Sequence, residues 1–418
     1  MDELRFIFYS HDGLGLGHLR RNLALSAALV EAAPEASVLV ITGSEEVTRL
    51  GVAPNVDVVR LPGLRKLANE KYAPRRLLDG DPDILALRSA QHAAAVEAFR
   101  PRVMVVDKHP LGACGELRRA LGILKAAGGR AALGLRDVLD DPGTVRTEWS
   151  ANGTRDAIDA CYERLLVYGM PKVLDHVDAY GLSPAALRRV RHTGYVVHPQ
   201  PELGSGIEEP PEFLLRRRTR PLVLATAGGG QDGYELLKTF IACAAHAPWD
   251  AAVVVGPEAP EQDRRSLRRM AVASDIGYVT CTAHLPRAVG QVDAVVCMGG
   301  YNSLVEAVSS GTPTVCVPRV KPRSEQLIRA RAFARLGLIR LLEPRHLDAT
   351  RLLGEVEEAL RSSRSALAAR ASAVLDLDGA HRGAACLLEL ARESENGTHP
   401  RRAHLLRQMR RPFLRHAA

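Results

Sequence analysis

Short runs rich in Val, Ile, Leu and Ala recur along the chain, separated by longer stretches whose apolar residues return every three to four positions. The runs at 4–10, 37–42, 56–61, 103–107, 131–135, 164–168 and 190–197 predict strands, and the periodic stretch at 18–33 predicts a helix. Continuous apolar strands alternating with helices indicate a parallel sheet covered on both faces. The rhythm breaks over 198–220, which holds Pro199, Pro201, Pro210 and Pro211, Gly204 and Gly206, and Arg216-Arg217-Arg218. That composition reads as a linker. Strands then resume at 222–226, 251–255, 277–281, 294–298, 314–317 and 339–342, with late helices at 348–361 and 365–392. The expected fold is α/β, two Rossmann-like domains facing across a cleft. The predicted divisions are 1–200, a linker at 201–220, a second domain at 221–395 and a basic tail at 396–418.

Composition narrows the class. The 418 residues are 46% hydrophobic and 25% charged, which suits an ordinary globular protein of two domains. No apolar run approaches the ~18 residues of a membrane-spanning helix. The first residues lack a basic segment followed by a long apolar one, so no signal peptide is expected. The seven cysteines form no Cys-x-x-Cys pair, which points to reduced thiols and a cytoplasmic location. The net charge of +8 is local, because residues 397–418 hold six Arg and no acid, leaving 50 basic against 48 acidic residues elsewhere. A nucleic-acid partner is therefore not expected. The tail segment 401–415 mixes arginines with Leu405, Leu406, Met409 and Phe413. It reads either as a solvated extension or as a peripheral contact with the inner face of a membrane.

Three glycine loops carry the candidate chemistry. Asp12-Gly13-Leu14-Gly15-Leu16-Gly17-His18 follows the first strand and opens a helix. Its spacing is not Gly-x-Gly-x-x-Gly, and Thr42-Gly43 stands where a dinucleotide site would need an acid, so a nicotinamide cofactor is disfavoured. Glycines here let another group approach the backbone, although a tight strand-to-helix turn uses them too. His18, at a helix N-terminus, is expected neutral and able to accept a proton. Gly228-Gly229-Gly230-Gln231 opens the second half and offers amides to an anion. Met298-Gly299-Gly300-Tyr301-Asn302-Ser303, with Glu306 one turn on, suits a diphosphate at a helix start and a carboxylate for ribose hydroxyls, or simple helix capping. Gly311-Thr312-Pro313, Pro318 and Glu325-Gln326 follow. A carboxylate beside an amide can bind several sugar hydroxyls.

From Met298 to Gln326 the chain resembles the donor-binding signature of plant-type UDP-glycosyltransferases, in which His-Cys-Gly-Trp-Asn-Ser precedes Glu, Gly-x-Pro, Pro and Asp/Glu-Gln. The layout from about 4 to 360 is also similar to the bacterial lipid-linked peptidoglycan N-acetylglucosaminyltransferase, with a glycine loop ending in His and a Gly-Gly-x-Gln loop in the second half. The resemblance implies a GT-B nucleotide-sugar glycosyltransferase, inverting and metal-independent, using UDP- or another NDP-sugar as co-substrate and no further cofactor. By the same resemblance His18 is the base and Asp107 orients it. Gly15, Gly17, Gly229, Gly230, Gln231, His284, Leu285, Gly299, Gly300, Tyr301, Asn302, Ser303 and Glu306 would hold the nucleotide, and Glu325 and Gln326 the donor sugar. The acceptor would be a small molecule, a lipid-linked sugar or a polysaccharide. Met298 and Tyr301 replace the signature's histidine and tryptophan, and Arg319, Lys321 or Arg323 could supply the missing phosphate contact.

Other readings stay open at this level. Gly15-Leu16-Gly17-His18-Leu19-Arg20-Arg21 also resembles the Gly-x-Gly-His-x-x-Arg segment of nucleotide-sugar hydrolases, where the histidine activates water. A non-catalytic sugar-nucleotide-binding subunit would keep the same fold. Asp79-Gly80-Asp81 resembles a metal-binding Asp-x-Asp, but sits in a Pro/Gly turn rather than at a strand end. Leu135-Arg136-Asp137-Val138-Leu139-Asp140-Asp141 is either a polar loop or a wall of the acceptor cleft.

Overall fold

The computed structural model describes residues 4–10, 17–45, 47, 50–68, 71–78, 83–198, 210–215, 217–282 and 284–393. The first half contains β1 (Arg5–Ser10), β2 (Ser37–Thr42), β3 (Val56–Arg60), β4 (Leu64–Ala68), β5 (Lys71–Pro74), β6 (Val103–Asp107), β7 (Arg130–Arg136), β8 (Arg164–Tyr168) and β9 (Val190–His192). Seven of these form a parallel sheet in the order β3-β2-β1-β6-β7-β8-β9. The second half contains β10 (Leu222–Thr226), β11 (Asp250–Val254), β12 (Gly277–Val279), β13 (Ala294–Cys297), β14 (Thr314–Cys316) and β15 (Arg340–Leu341), also parallel, in the order β12-β11-β10-β13-β14-β15. Both sheets are doubly wound, and the chain reverses direction across each sheet between its first and fourth parallel strands.

The inner strands explain this arrangement. Phe6, Ile7, Phe8 and Tyr9 of β1 and Val103–Val106 of β6 are fully buried, because helices cover both faces of the sheet. One residue breaks the apolar pattern: Asp107, at the end of β6, has no exposed surface. A carboxylate there is tolerated only with charged or hydrogen-bonding partners.

Several expectations need correction. The run at 190–197 is a strand only to His192, because the next residues turn away and Tyr195 N donates to Asp376 O. The antiparallel hairpin β4–β5 was not expected, since its charged residues break the apolar alternation. The stretch 365–392 is two helices, Arg364–Val374 and Gly379–Glu393. The second returns to the first sheet, where Gly383 lies against Leu25 and Glu393 pairs with Arg130 and Arg164. The 221–395 division therefore puts into the second half a helix that packs on the first. Within the expected linker, a short helix at Glu212–Leu215 buries Phe213 beside Gly277. Residues 199–209, 216 and 394–418, the last including the whole tail, lie outside the described residues, as do residues 11–16 of the first glycine loop, Gly15 among them, and Asp79-Gly80-Asp81. No helix among the described residues is long and apolar enough to cross a membrane.

The halves are tied together by buried charge. Arg329, on the helix Glu325–Arg335, donates to both oxygens of Asp137 at 2.6–3.0 Å, and neither side chain is exposed. Arg323 reaches Asp140 and Glu148 at 2.9–3.2 Å. Tyr301 packs on Tyr195, and Val196 N donates to its hydroxyl.

Candidate active site

The two chain reversals place four loop beginnings around one cavity of about 190 Å³. The helix Gly17–Ala32 starts just beyond β1, and Asp107 ends β6. Opposite them, Gly228 and Gly229 follow β10, and the helix Tyr301–Ser309 follows β13. A Cβ on Gly17 would come within 3.0 Å of Asn302 Nδ2, so the two helix starts nearly touch. A side chain at 17 would have to displace the Asn302 amide.

On the first side, His18 Nδ1 lies 2.9 Å from Asp107 Oδ2, and Arg21 Nη2 lies 2.6 and 2.9 Å from the two carboxylate oxygens. Burial alone would raise the Asp107 pKa, but the charges of Arg21 and His18 outweigh it and hold the group at about 2. An ionised carboxylate only accepts, so the ring donates from Nδ1 and its lone pair is on Nε2. Arg21 Nη2 is also 3.0 Å from Nδ1. Two donors at that distance are held together by the carboxylate between them. Burial pushes His18 down to about 4 against the upward pull of Asp107, with Arg21 adding to the depression. The ring is therefore neutral near pH 7 and lines the cavity.

On the second side, Gly300 is the N-cap of the helix Tyr301–Ser309, and no side chain caps its first-turn amides. Gly299 has φ +83°, and a Cβ there would sit 2.9 Å from Cys316 Sγ, so the loop turns sharply just above the sheet. Glu306 is 5% exposed, and burial raises its pKa despite Arg20. Arg20 Nη2 approaches Glu306 Oε1 at 3.0 Å, an ion pair across the cleft that is not aligned as a hydrogen bond.

Of the sequence-predicted residues, Gly17, His18, Gly229, Leu285, Gly300, Tyr301, Asn302, Ser303 and Glu306 line this cavity, and Asp107 stands directly behind His18. Gly230 and Gly299 shape the loops beneath it, Gln231 is exposed, and His284 is buried just before Leu285. Tyr301 is wedged between Arg21 and Arg329, 5.4 and 5.7 Å from their guanidinium carbons, which makes it a bridge between the halves as well as a wall. Glu325 and Gln326 are not brought to the cavity. Arg319 takes both, pairing with Glu325 and donating its backbone N–H to Gln326 Oε1. Arg319 also pairs with Asp232, and Arg323 with Asp140 and Glu148, so two of the three cations expected to meet a phosphate are occupied; the third, Lys321, does not line the cavity. Sequence reasoning did not single out Arg20 or Arg21 as cavity residues, and reached Arg136 only as part of the loop 135–141 offered as a wall of the acceptor cleft. The His-x-x-Arg spacing was a signal for Arg21, one helical turn beyond His18.

Residues 229–384 match the glycosyltransferase family 28 C-terminal domain. A putative UDP-glucuronosyltransferase of Caenorhabditis elegans is 33% identical over 81 residues, 19% of this chain and 15% of that protein. A UDP-N-acetylglucosamine–N-acetylmuramyl-(pentapeptide) pyrophosphoryl-undecaprenol N-acetylglucosamine transferase of Corynebacterium efficiens is 28% identical over 166 residues. That match spans 38% of this chain and 44%, less than half, of the relative. Among solved structures, a UDP-glucosyltransferase from Polygonum tinctorium superposes with a TM-score of 0.63 at 15% identity, over 95% of this chain and all of that one. The chain has the two-domain GT-B fold of such solved glycosyltransferases, and residues 229–384 of its second half match the glycosyltransferase family 28 C-terminal domain.

Proposed function

We propose that the protein is an inverting, metal-independent glycosyltransferase that moves a sugar from a nucleotide-sugar donor to a hydroxyl of a small-molecule or lipid-linked acceptor. The observation that carries this reading is the single cavity in which His18, from the first half, faces Asn302, Ser303 and Glu306, from the second. The donor's ribose hydroxyls would bind Glu306, and its diphosphate the amides that begin the helix Tyr301–Ser309. The acceptor hydroxyl would approach from the first half. His18 Nε2 takes its proton as the oxygen attacks the anomeric carbon, and Asp107 stabilises the imidazolium. Attack opposite the departing diphosphate in a single displacement inverts the anomeric centre. Preorganised amides and positive charge offset the negative charge that grows on the leaving group, which is the basis for proposing that no metal is needed.

The test is a panel of nucleotide sugars with and without candidate acceptors, with and without EDTA, read by mass spectrometry for free nucleotide, free sugar and glycosylated product. The expected result is donor consumption that depends on an acceptor. His18→Ala should lower it about 10²–10⁴-fold. A His18→Ala protein as active as the parent would remove the base. Rapid release of free sugar without acceptor would convert the reading into a hydrolase.

A further inference from the structure

The loop that leaves β7 contributes one cavity residue the mechanism above does not use. Arg136 ends β7 and lines the cavity together with His18, Gly229, Asn302 and Ser303. Its Nε is shielded from solvent and has no hydrogen-bond partner, and among the described residues no carboxylate lies within ion-pair distance of its guanidinium.

The reason is that each neighbouring acid already has its own arginine. Asp137 is held by Arg329, Glu325 by Arg319, Asp107 by Arg21, and Glu306 by Arg20. Arg136 is the cation left over. It faces a helix N-terminus across the cavity, so positive charge and positive dipole converge on the same space. Burial pushes its pKa below the ordinary arginine value against the upward pull of Glu325, and the nearby Arg329 and Arg21 charges add to the depression. A half-buried guanidinium among like charges, with its Nε shielded and unpartnered, is better placed once an anion enters the cavity to pair with it.

We infer that Arg136 grips an oxyanion of the donor's diphosphate from the first half, opposite the amides of Gly300–Ser303 in the second. The inference rests on the nucleotide-sugar reading of this cavity. It makes the diphosphate a bridge between the halves. Arginine suits the task, because its planar fork can hold two phosphate oxygens at once.

The experiment is calorimetric titration of the full chain with UDP, dTDP, GDP and ADP, followed by the nucleoside matching the tightest binder. Arg136→Ala should weaken that diphosphate about 10- to 100-fold, the range of charged hydrogen bonds, and leave the nucleoside within about twofold. Arg136→Lys should recover part of the loss, and the thermal melting point should hold. Glu306→Ala should weaken nucleoside and diphosphate alike, since it acts at the ribose. If Arg136→Ala binds the diphosphate as tightly as the parent while Glu306→Ala weakens both ligands, the inference fails and the nucleotide-sugar reading stands. If Arg136→Ala weakens nucleoside and diphosphate equally, its role is structural and the inference fails. If the parent binds none of the four nucleotides or their nucleosides, the reading of the cavity falls and takes the inference with it.

Discussion

Replacing Arg329 with Met tests whether one buried ion pair couples the two halves. The guanidinium donates to Asp137 Oδ1 at 2.6 and 3.0 Å, to Oδ2 at 2.8 Å and to Gly299 O at 3.0 Å. Methionine fills much of the volume but leaves the Asp137 carboxylate, 1% exposed, without a counter-charge. Orphaning a buried charge of this kind costs about 3–5 kcal/mol. Two donors remain to Asp137, Val138 N at 2.7 Å and Tyr195 OH at 3.3 Å, which favours the lower end. The carbonyl of Gly299 loses its donor, adding about 1 kcal/mol. The expected loss is therefore about 4 kcal/mol. The double variant Arg329→Met/Asp137→Asn carries no orphaned charge; its amide oxygen can keep the Val138 N–H, and its NH2 can donate to the Tyr195 hydroxyl in place of accepting from it, so it should recover to within about 1.5 kcal/mol of the parent. The two tryptophans give the assay. Trp149 lies on the helix Pro142–Ala151 of the first half, and Trp249 stacks on Phe240 in the second. Single-tryptophan versions report each half separately during urea unfolding. The two transitions should coincide in the parent and separate in Arg329→Met. A single variant that loses under ~1 kcal/mol with transitions still coincident, or a double variant as damaged as the single, would refute the coupling.

Two further expectations follow from the buried titratable groups. Asp107→Asn should lower turnover about 10²–10⁴-fold, because the ring loses its ionised acceptor and with it the preference for Nδ1–H. A His18→Ala/Asp107→Asn double variant should be no slower than His18→Ala alone, since the two act as a unit; multiplying losses in steady-state rates would show that they do not. Acid should unfold the protein well above the range of simple carboxylate titration. Burial lowers His18, His92 and His176 each to about 4 from an ordinary 6.5. The unfolded chain takes up those protons below 6.5 while the folded chain refuses them until about 4. Stability is therefore full above pH 6.5 and falls toward pH 4 by about 4 kcal/mol per pH unit when all three contribute. Asp107, held at about 2 against an ordinary 3.8, extends the loss below pH 3.8. Denaturation midpoints that stay flat from pH 7 to 5 would contradict this.

What could be read from the chain, and what could not, divides along one physical line. The strands, their parallel arrangement and the two halves were legible because buried parallel strands are near-continuous apolar runs, as in β1 and β6; the strand order was not, because an apolar run does not name its neighbours. His18 stood out because it ends a glycine loop and opens a helix, and Asp107, a carboxylate at a strand end, was named by the resemblance. The helix at Gly379–Glu393 was placed in the wrong half because an amphipathic face does not say which sheet it covers. Glu325 and Gln326 match a sugar-binding pattern by spacing, but their orientation is decided by Arg319, six and seven residues back. Above all, the arginines were opaque. Only seven of the 56 basic residues are Lys, so arginine is everywhere and no single one stands out. The fold sorts them by burial. Arg21, Arg88 and Arg329 are at most 1% exposed, and each has a carboxylate from a distant part of the chain: Asp107, Glu116 and Asp137. A buried arginine cannot shed its charge as a buried histidine can, so it must be matched. That rule turns the compositional bias into information, because in a cavity where every acid is already matched, the arginine left over marks the place where the ligand must bring the anion.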